Sequence, residues 1–169
     1  ATLCTGELLQ LHHRADFSLD EDTYFEIVRR KTASLIAAAC RLGAARTLAL
    51  RGSSTEAPAA RDLLQRLERF GEDIGVAFQI QDDLLDLTGE ERVVGKNLGK
   101  DIEKGKLTLP LIHHLAAADP AQRGRSLSIL ADHALAGPER SGVLAAAMND
   151  TGSIAHARRV AEDLVRRAQ

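Results

Sequence analysis

Phe78-Gln79-Ile80-Gln81-Asp82-Asp83-Leu84-Leu85-Asp86 places an aspartate-rich DDxxD pattern inside an otherwise apolar segment. On a helix, Gln79, Asp82 or Asp83, and Asp86 recur at i, i+3 or i+4, and i+7, so one face carries an amide and carboxylates one turn apart. Like charges on adjacent turns cost about a few tenths of a kcal/mol each when exposed, and more in a half-buried cleft. Such a face is held most easily around a cation. The cluster offers oxygen donors without Cys or His, so the expected ion is hard, and Mg2+ commonly shares a few carboxylates with substrate phosphates. The carboxylates by themselves fit an acidic, solvated helix turn equally well.

The chain has 169 residues, 44% of them hydrophobic, enough to bury a core as one compact domain or part of a larger one. A net charge of -2 and 3% aromatic content argue against a nucleic-acid partner, which calls for a basic stripe or stacking rings. Cys4 and Cys40 lie far apart in helical contexts, where each reads as a small packed residue, and a reducing, cytoplasmic location is expected. No uninterrupted apolar run approaches the ~20 residues of a membrane helix, so the expectation is a soluble chain that is not transmembrane. The start, Ala1-Thr2-Leu3, lacks an initiator methionine and enters a helical pattern at once, as a piece of a longer polypeptide would.

Periodicity predicts helices almost throughout and no alternating Val/Ile-rich strand, hence an all-α fold. A first helix is expected from Leu3 to His12, and a connector at Asp16-Phe17-Ser18 in which Ser18 and Glu21 match a capping box. A long helix should run from Leu19 to Leu50, with a bend expected near Gly43, since an interior glycine costs about 1 kcal/mol relative to alanine. After the loop Arg51 to Thr55, Pro58 suits the first turn of a helix from Ala59 to Leu87 that carries the aspartates. Gly71 and Gly75 on that helix either admit a close neighbour or are merely tolerated. Thr88-Gly89 ends it. Glu90 to Gly105 reads as a basic, glycine-rich loop with Lys96, Lys100 and Lys104, and a further helix opens near Leu107 with Pro110 in its first turn. Shorter helices follow, broken near Asp119-Pro120, Gly137-Pro138 and Thr151-Gly152.

A diphosphate held on carboxylates through a metal needs its remaining charge neutralised, and lysine is a common point charge for phosphate. Lys96 and Lys106, each preceded by glycine, are close in sequence to the aspartates. Lys31-Thr32 sets a lysine beside a hydroxyl among apolar neighbours, which also fits a lysine snorkelling at the surface. His12-His13 and His113-His114 are adjacent pairs whose side chains diverge on a helix, so neither pair is expected to share a metal.

The string from Phe78 to Asp86, followed by Gly95-Lys96, Asp101 and Gly105-Lys106-Leu107-Thr108-Leu109-Pro110-Leu111-Ile112, resembles the C-terminal half of the trans-polyprenyl diphosphate synthases. Gly6-Glu7 with Gln10, Lys31-Thr32-Ala33 and Thr151-Gly152-Ser153-Ile154 extend the resemblance over nearly the whole chain, most weakly between Ala116 and Asp150. It implies an antiparallel helical bundle of the isoprenoid synthase type lacking its N-terminal half, with residues 1–169 forming the C-terminal part that carries the second aspartate-rich motif. The implied reaction condenses isopentenyl diphosphate with an allylic prenyl diphosphate, depends on Mg2+ and releases diphosphate. Position by position, the resemblance makes Asp82 the main Mg2+ ligand, with Asp83 and Asp86 as direct or water-mediated partners. It sets Lys31, Lys96 and Lys106 against the allylic diphosphate and Gln79 and Thr32 near the reacting prenyl unit. It also gives Phe78 a π-face toward substrate, although a core phenylalanine explains that residue as well.

The departure is large, because the family pattern has two aspartate-rich motifs on facing helices and Asp82-Asp83 is the only Asp-Asp pair in this sequence. The resemblance therefore implies that the facing motif lies in a missing N-terminal half, that this piece alone is inactive, and that it exposes apolar helix faces. It also implies a homodimer built partly through the Leu3 to His12 helix. The alternatives are a non-catalytic or truncated subunit pairing with a complementary synthase chain, and a class I terpene cyclase. The intact DDxxD followed by Gly105-Lys106 disfavours the cyclase.

Overall fold

The computed structural model describes residues 2–89, 99–132, 134–135 and 137–169, and no strand occurs among them. Nine α-helical segments follow in chain order among these residues: α1 (Thr2–His12), α2 (Glu21–Val28), α3 (Ser34–Leu50), α4 (Pro58–Thr88), α5 (Lys100–Glu103), α6 (Leu109–Ala117), α7 (Pro120–Ala131), α8 (Gly137–Asp150) and α9 (Ser153–Ala168). The all-α expectation holds. Residues Arg29–Ala33 form a π-helical turn that joins α2 to α3 without a break.

The 31-residue helix α4 is the spine, with α3 along one side and α9 along another. Its apolar positions Leu64, Val76, Ala77, Ile80 and Leu84 are buried, and Ile80 meets a core that includes Leu109, Leu111, Leu144 and Met148. The α3–α4 approach depends on the two glycines of α4. A Cβ on Gly71 would lie 2.7 Å from the Ala37 Cα, and one on Gly75 would lie 2.6 Å from the Ala33 Cα. Close approach, not tolerance, is therefore the reason for this pair.

Several boundaries differ from the sequence expectation. Ser18 does not cap a helix: its backbone N–H and its hydroxyl both donate to Asp16 Oδ1. Asp20 caps α2 instead, accepting from the Thr23 N–H at 2.8 Å, because it lies one residue before the helix and Ser18 lies three before it. The irregularity of the long helix falls at Arg29–Ala33 and not at Gly43, whose exposed surface imposes no packing demand. Within the expected loop, Lys100–Glu103 is a helical turn, and α6 starts at Leu109 rather than Leu107. Pro58 and Pro110 do occupy first-turn positions, and Asp119 with Gln122 forms a capping box at α7.

Residues Glu21–Leu50 run as one 30-residue helix, and an 18-residue window of it has mean hydropathy 1.3, enough by length and composition to cross a bilayer. The sequence expectation that no stretch approaches this length is amended accordingly: alanines between Lys31 and Leu50 raise the average without forming a continuous run of large apolar residues. An apolar helix that packs in a bundle passes the same test, and this one packs on α4. Leu35, Leu42 and Leu50 on it are at least 60% exposed, as are Leu8 of α1 and Phe78 of α4.

Candidate functional site: a carboxylate and lysine cleft

Four segments converge on the DDxxD face of α4. They are α1, the π-turn, the turn at α5 and the residues just before α6. The cleft between them, about 460 Å³ and open to solvent, is lined by Glu7, Gln10, Lys31, Gln79, Asp82 and Lys106, together with Asp101 and Lys104. Lys31 and Thr32 owe their placement to the π-turn, in which the Ser34 N–H bonds to the Arg29 carbonyl and shifts the helical phase. Gly6 lets α1 cross at this point, since a Cβ there would lie 2.6 Å from the Lys31 backbone nitrogen.

The three aspartates have different surroundings. Asp82 is half-buried and lines the cleft. Asp83 is 1% exposed, and both its oxygens are engaged. Oδ2 accepts from the Tyr24 hydroxyl at 2.9 Å, and Oδ1 accepts from Gln79 Nε2 at 2.9 Å and Lys106 Nζ at 2.7 Å. Asp86 accepts from the backbone N–H groups of Lys100 and Asp101, at 3.3 and 3.0 Å, which fixes the start of α5 beside the aspartate helix.

Lys106 ties the two sides together, donating to Asp101 Oδ2 at 2.7 Å as well as to Asp83. Burial by itself would push this ammonium down, but the Asp83 and Asp101 carboxylates outweigh it and hold Lys106 at about 12. Burial pushes the Asp83 carboxyl up, with the Lys106 charge pulling against it. Burial, followed by the Asp83 charge, also raises the Tyr24 phenol. Lys106 is thus a full positive charge at neutral pH.

A second polar line crosses from the π-turn to α4. The Thr32 hydroxyl donates to Gln79 Oε1 at 2.9 Å, so the amide is oriented with its NH2 toward Asp83. Lys31 Nζ lies 2.6 Å from Gln10 Oε1 and 3.0 Å from Glu7 Oε1, on the opposite lip.

Of the residues singled out from sequence, Lys31, Thr32, Gln79, Asp82, Asp83, Asp86 and Lys106 lie in one connected neighbourhood. Lys96 falls outside the described residues. Asp83 is walled in by its three donors and anchors Lys106, a setting that the expectation of a metal partner did not include. Phe78 is 62% exposed and lines a groove with Ile74 and Val165 instead of the core or this cleft. Sequence reasoning gave no role to Tyr24 or Asp101. Tyr24 is the only tyrosine and stands seven residues, two helical turns, before Lys31, a spacing that could have pointed to it.

The donor set suits a hard divalent cation, since Asp82 lines the cleft with carboxylate oxygens beside a lysine-rich edge, Asp86 follows it one helical turn on with backbone N–H groups on its oxygens, and no sulfur or imidazole intrudes among the lining residues given above.

Residues 1–148 match the polyprenyl synthetase family. The chain is 40% identical over 114 residues to heptaprenyl diphosphate synthase component 2 of Geobacillus stearothermophilus, covering 68% of this chain and 32% of that protein. It is 39% identical over 128 residues to the short chain isoprenyl diphosphate synthase of Methanothermobacter thermautotrophicus, covering 76% and 36%. Among solved structures, a polyprenyl synthase from Caulobacter crescentus CB15, complexed with calcium and isoprenyl diphosphate, superposes with a TM-score of 0.80 at 29% identity, covering 99% of this chain and 48% of that one. The chain spans about a third of the length of these curated relatives and about half of that solved structure. A helical bundle that carries a DDxxD face beside Lys31 and Lys106, with the family match over residues 1–148, makes this chain a member of the polyprenyl synthetase family.

Proposed function

We propose that the cleft binds the diphosphate end of an allylic prenyl diphosphate, and that the complete assembly transfers the prenyl group to isopentenyl diphosphate. The observation that carries this reading is the Lys106 ammonium, fixed between Asp83 and Asp101 in the cleft that Asp82 and Lys31 also line. Fixed positive charges aimed at a departing diphosphate need no reorganisation when negative charge develops on it.

Asp82 and Asp86 are the residues that would hold Mg2+, which when bound supplies further positive charge against the diphosphate oxygens. Lys106 stays protonated and offers its third N–H to the ligand. Lys31 can exchange Glu7 and Gln10 for phosphate oxygens by rotating its side chain. Lys96 is assigned to the same anion from its place in the sequence. Thr32 orients Gln79, and in this reading the Gln79 amide sits near the reacting prenyl unit.

Only one aspartate-rich motif is present in the 169 residues, so the isolated chain is expected to be inactive and to need a facing half, in cis or in trans. One relative, of which the match covers 32%, is named component 2 of a heptaprenyl diphosphate synthase, which supports work alongside a further subunit without assigning the facing half to it. Turnover of an allylic primer with isopentenyl diphosphate should appear only with the facing half present. In that assembly Asp82→Ala should lower the rate by orders of magnitude, and an unchanged rate would remove Asp82 from the site.

A further inference from the structure

Away from the cleft, three side chains from three helices meet. Glu21 is the first residue of α2, His113 lies in α6 and His156 in α9. One donor atom from each lies within 4.8 Å of the others. The two imidazoles stack with centroids 4.1 Å apart and planes 21° from parallel, and His156 Nε2 is 3.1 Å from Glu21 Oε1. The Glu21 and His156 side chains are 34% and 25% exposed, so the cluster is shielded yet reachable from solvent.

The ring of His113 is fixed from behind. Its Nδ1 is 2.8 Å from the hydroxyl of the fully buried Ser153, which is 2.7 Å from the Thr151 hydroxyl. Thr151 Oγ1 is in turn 2.9 Å from Nδ1 of the buried His114, whose Nε2 meets Ser126 Oγ at 2.8 Å. A hydrogen bond to one ring nitrogen orients the other and sets its tautomer, as it does for metal-bound histidines. His113 Nε2 is therefore the nitrogen left to ligate.

We propose that Glu21, His113 and His156 form a binding site for a borderline divalent cation of the Zn2+ class. Two imidazoles and one carboxylate are a donor set for such ions, with bond lengths of about 2.0–2.2 Å and a fourth position open to water. Ligation requires the stacked His156 ring to turn so that its in-plane lone pair converges with that of His113, while His156 and Glu21 are already in contact. The three ligand bonds to the ion would join the start of α2 to α6 and α9, with Glu21 and His156 135 positions apart in sequence. The site shares none of the lining residues named for the carboxylate cleft, and it differs from that cleft in chemistry, because imidazole nitrogen favours Zn2+ where carboxylate oxygen favours Mg2+.

The test is calorimetric titration of the full chain with ZnCl2 in excess MgCl2, with Co2+ absorption as a second readout of imidazole ligation. One equivalent of Zn2+ should bind, and the thermal midpoint should rise with it. His156→Gln and Glu21→Gln should each weaken that binding at least tenfold and abolish the midpoint rise, while Asp82→Asn retains both. Glu21→Gln serves where His156→Gln fails to fold, since Glu21 is a partly exposed helix-start residue. Binding of undiminished affinity in the Glu21 and His156 variants, or binding lost only in Asp82→Asn, overturns the proposal.

Discussion

The Lys106 ammonium lies 2.7 Å from the carboxylate of Asp83, which is 1% exposed. The pair joins two segments 23 residues apart, on either side of the residues outside the described structure. A buried carboxylate is costly without full compensation, and here Tyr24, Gln79 and Lys106 provide it. Its neighbour Asp82, the first aspartate of the motif, lines the cleft.

Asp83→Asn should destabilise the fold by about 3 kcal/mol, because it takes from the half-buried Lys106 one of its two carboxylate partners and gives Gln79 and Tyr24 an amide in place of two acceptor oxygens. Urea unfolding checks this. A loss below about 0.5 kcal/mol, the range of an ordinary surface change, would show that the pair does not hold the segments together.

Two glycine substitutions should act in opposite directions. Gly75→Ala introduces a Cβ 2.6 Å from the Ala33 Cα and 2.9 Å from its Cβ, and the backbone at the junction of the π-turn with α3 must move away. The expected cost is about 1–3 kcal/mol. Gly43→Ala meets nothing within 4 Å and should stabilise by about 0.5–1 kcal/mol, through lower entropy of the unfolded chain and better helix propensity. Equal melting shifts in the two variants would contradict the close approach of α3 and α4.

Hydrogen bonds from Ser18, and then from His13, hold the Asp16 carboxyl down at about 2, against an ordinary 3.8. A carboxyl depressed in the folded state contributes stability that is fully present above 3.8 and is lost as the pH falls through about 2. Ser18→Ala removes the largest cause of the depression. Its stability should lie below that of the parent chain above about pH 3.8, and the two should converge as the pH falls through about 2. Equal stability at neutral and at acid pH would mean that the Ser18 bonds to Asp16 contribute nothing to the fold.

The helices and the family were legible because they rest on local pattern: apolar spacing along α4, Pro58 and Pro110 in first turns, and the DDxxD string with Gly105-Lys106. What escaped the sequence depends on distance between elements. Nothing local distinguishes Asp83 from Asp82, and only the crossing of α2 with α4 places the Tyr24 hydroxyl on one of them. The π-turn at Arg29–Ala33 answers to α1 crossing at Gly6, a contact invisible in the periodicity of α2 and α3. His113 and His114 diverge, as adjacent helical residues must, yet His113 meets His156 from 43 residues downstream, which pair spacing does not reveal.

Lys106→Ala and Leu84→Ala separate binding from stability. Leu84 is 2% exposed in the core, and truncating it should cost about 2–5 kcal/mol through lost burial and a cavity. Lys106→Ala strands the Asp83 charge and should cost a comparable amount. Only the lysine variant also removes an ammonium from the cleft wall, where a charged hydrogen bond to phosphate contributes about 1.5–3 kcal/mol, equivalent to a tenfold or greater loss of affinity. Binding of inorganic diphosphate with Mg2+, measured by calorimetry below both melting transitions, should therefore weaken at least tenfold in Lys106→Ala and hold within a factor of about three in Leu84→Ala, a difference under 0.7 kcal/mol or so. If both variants lose affinity equally, Lys106 acts on the ligand only by holding the fold, and the cleft must draw its positive charge from elsewhere.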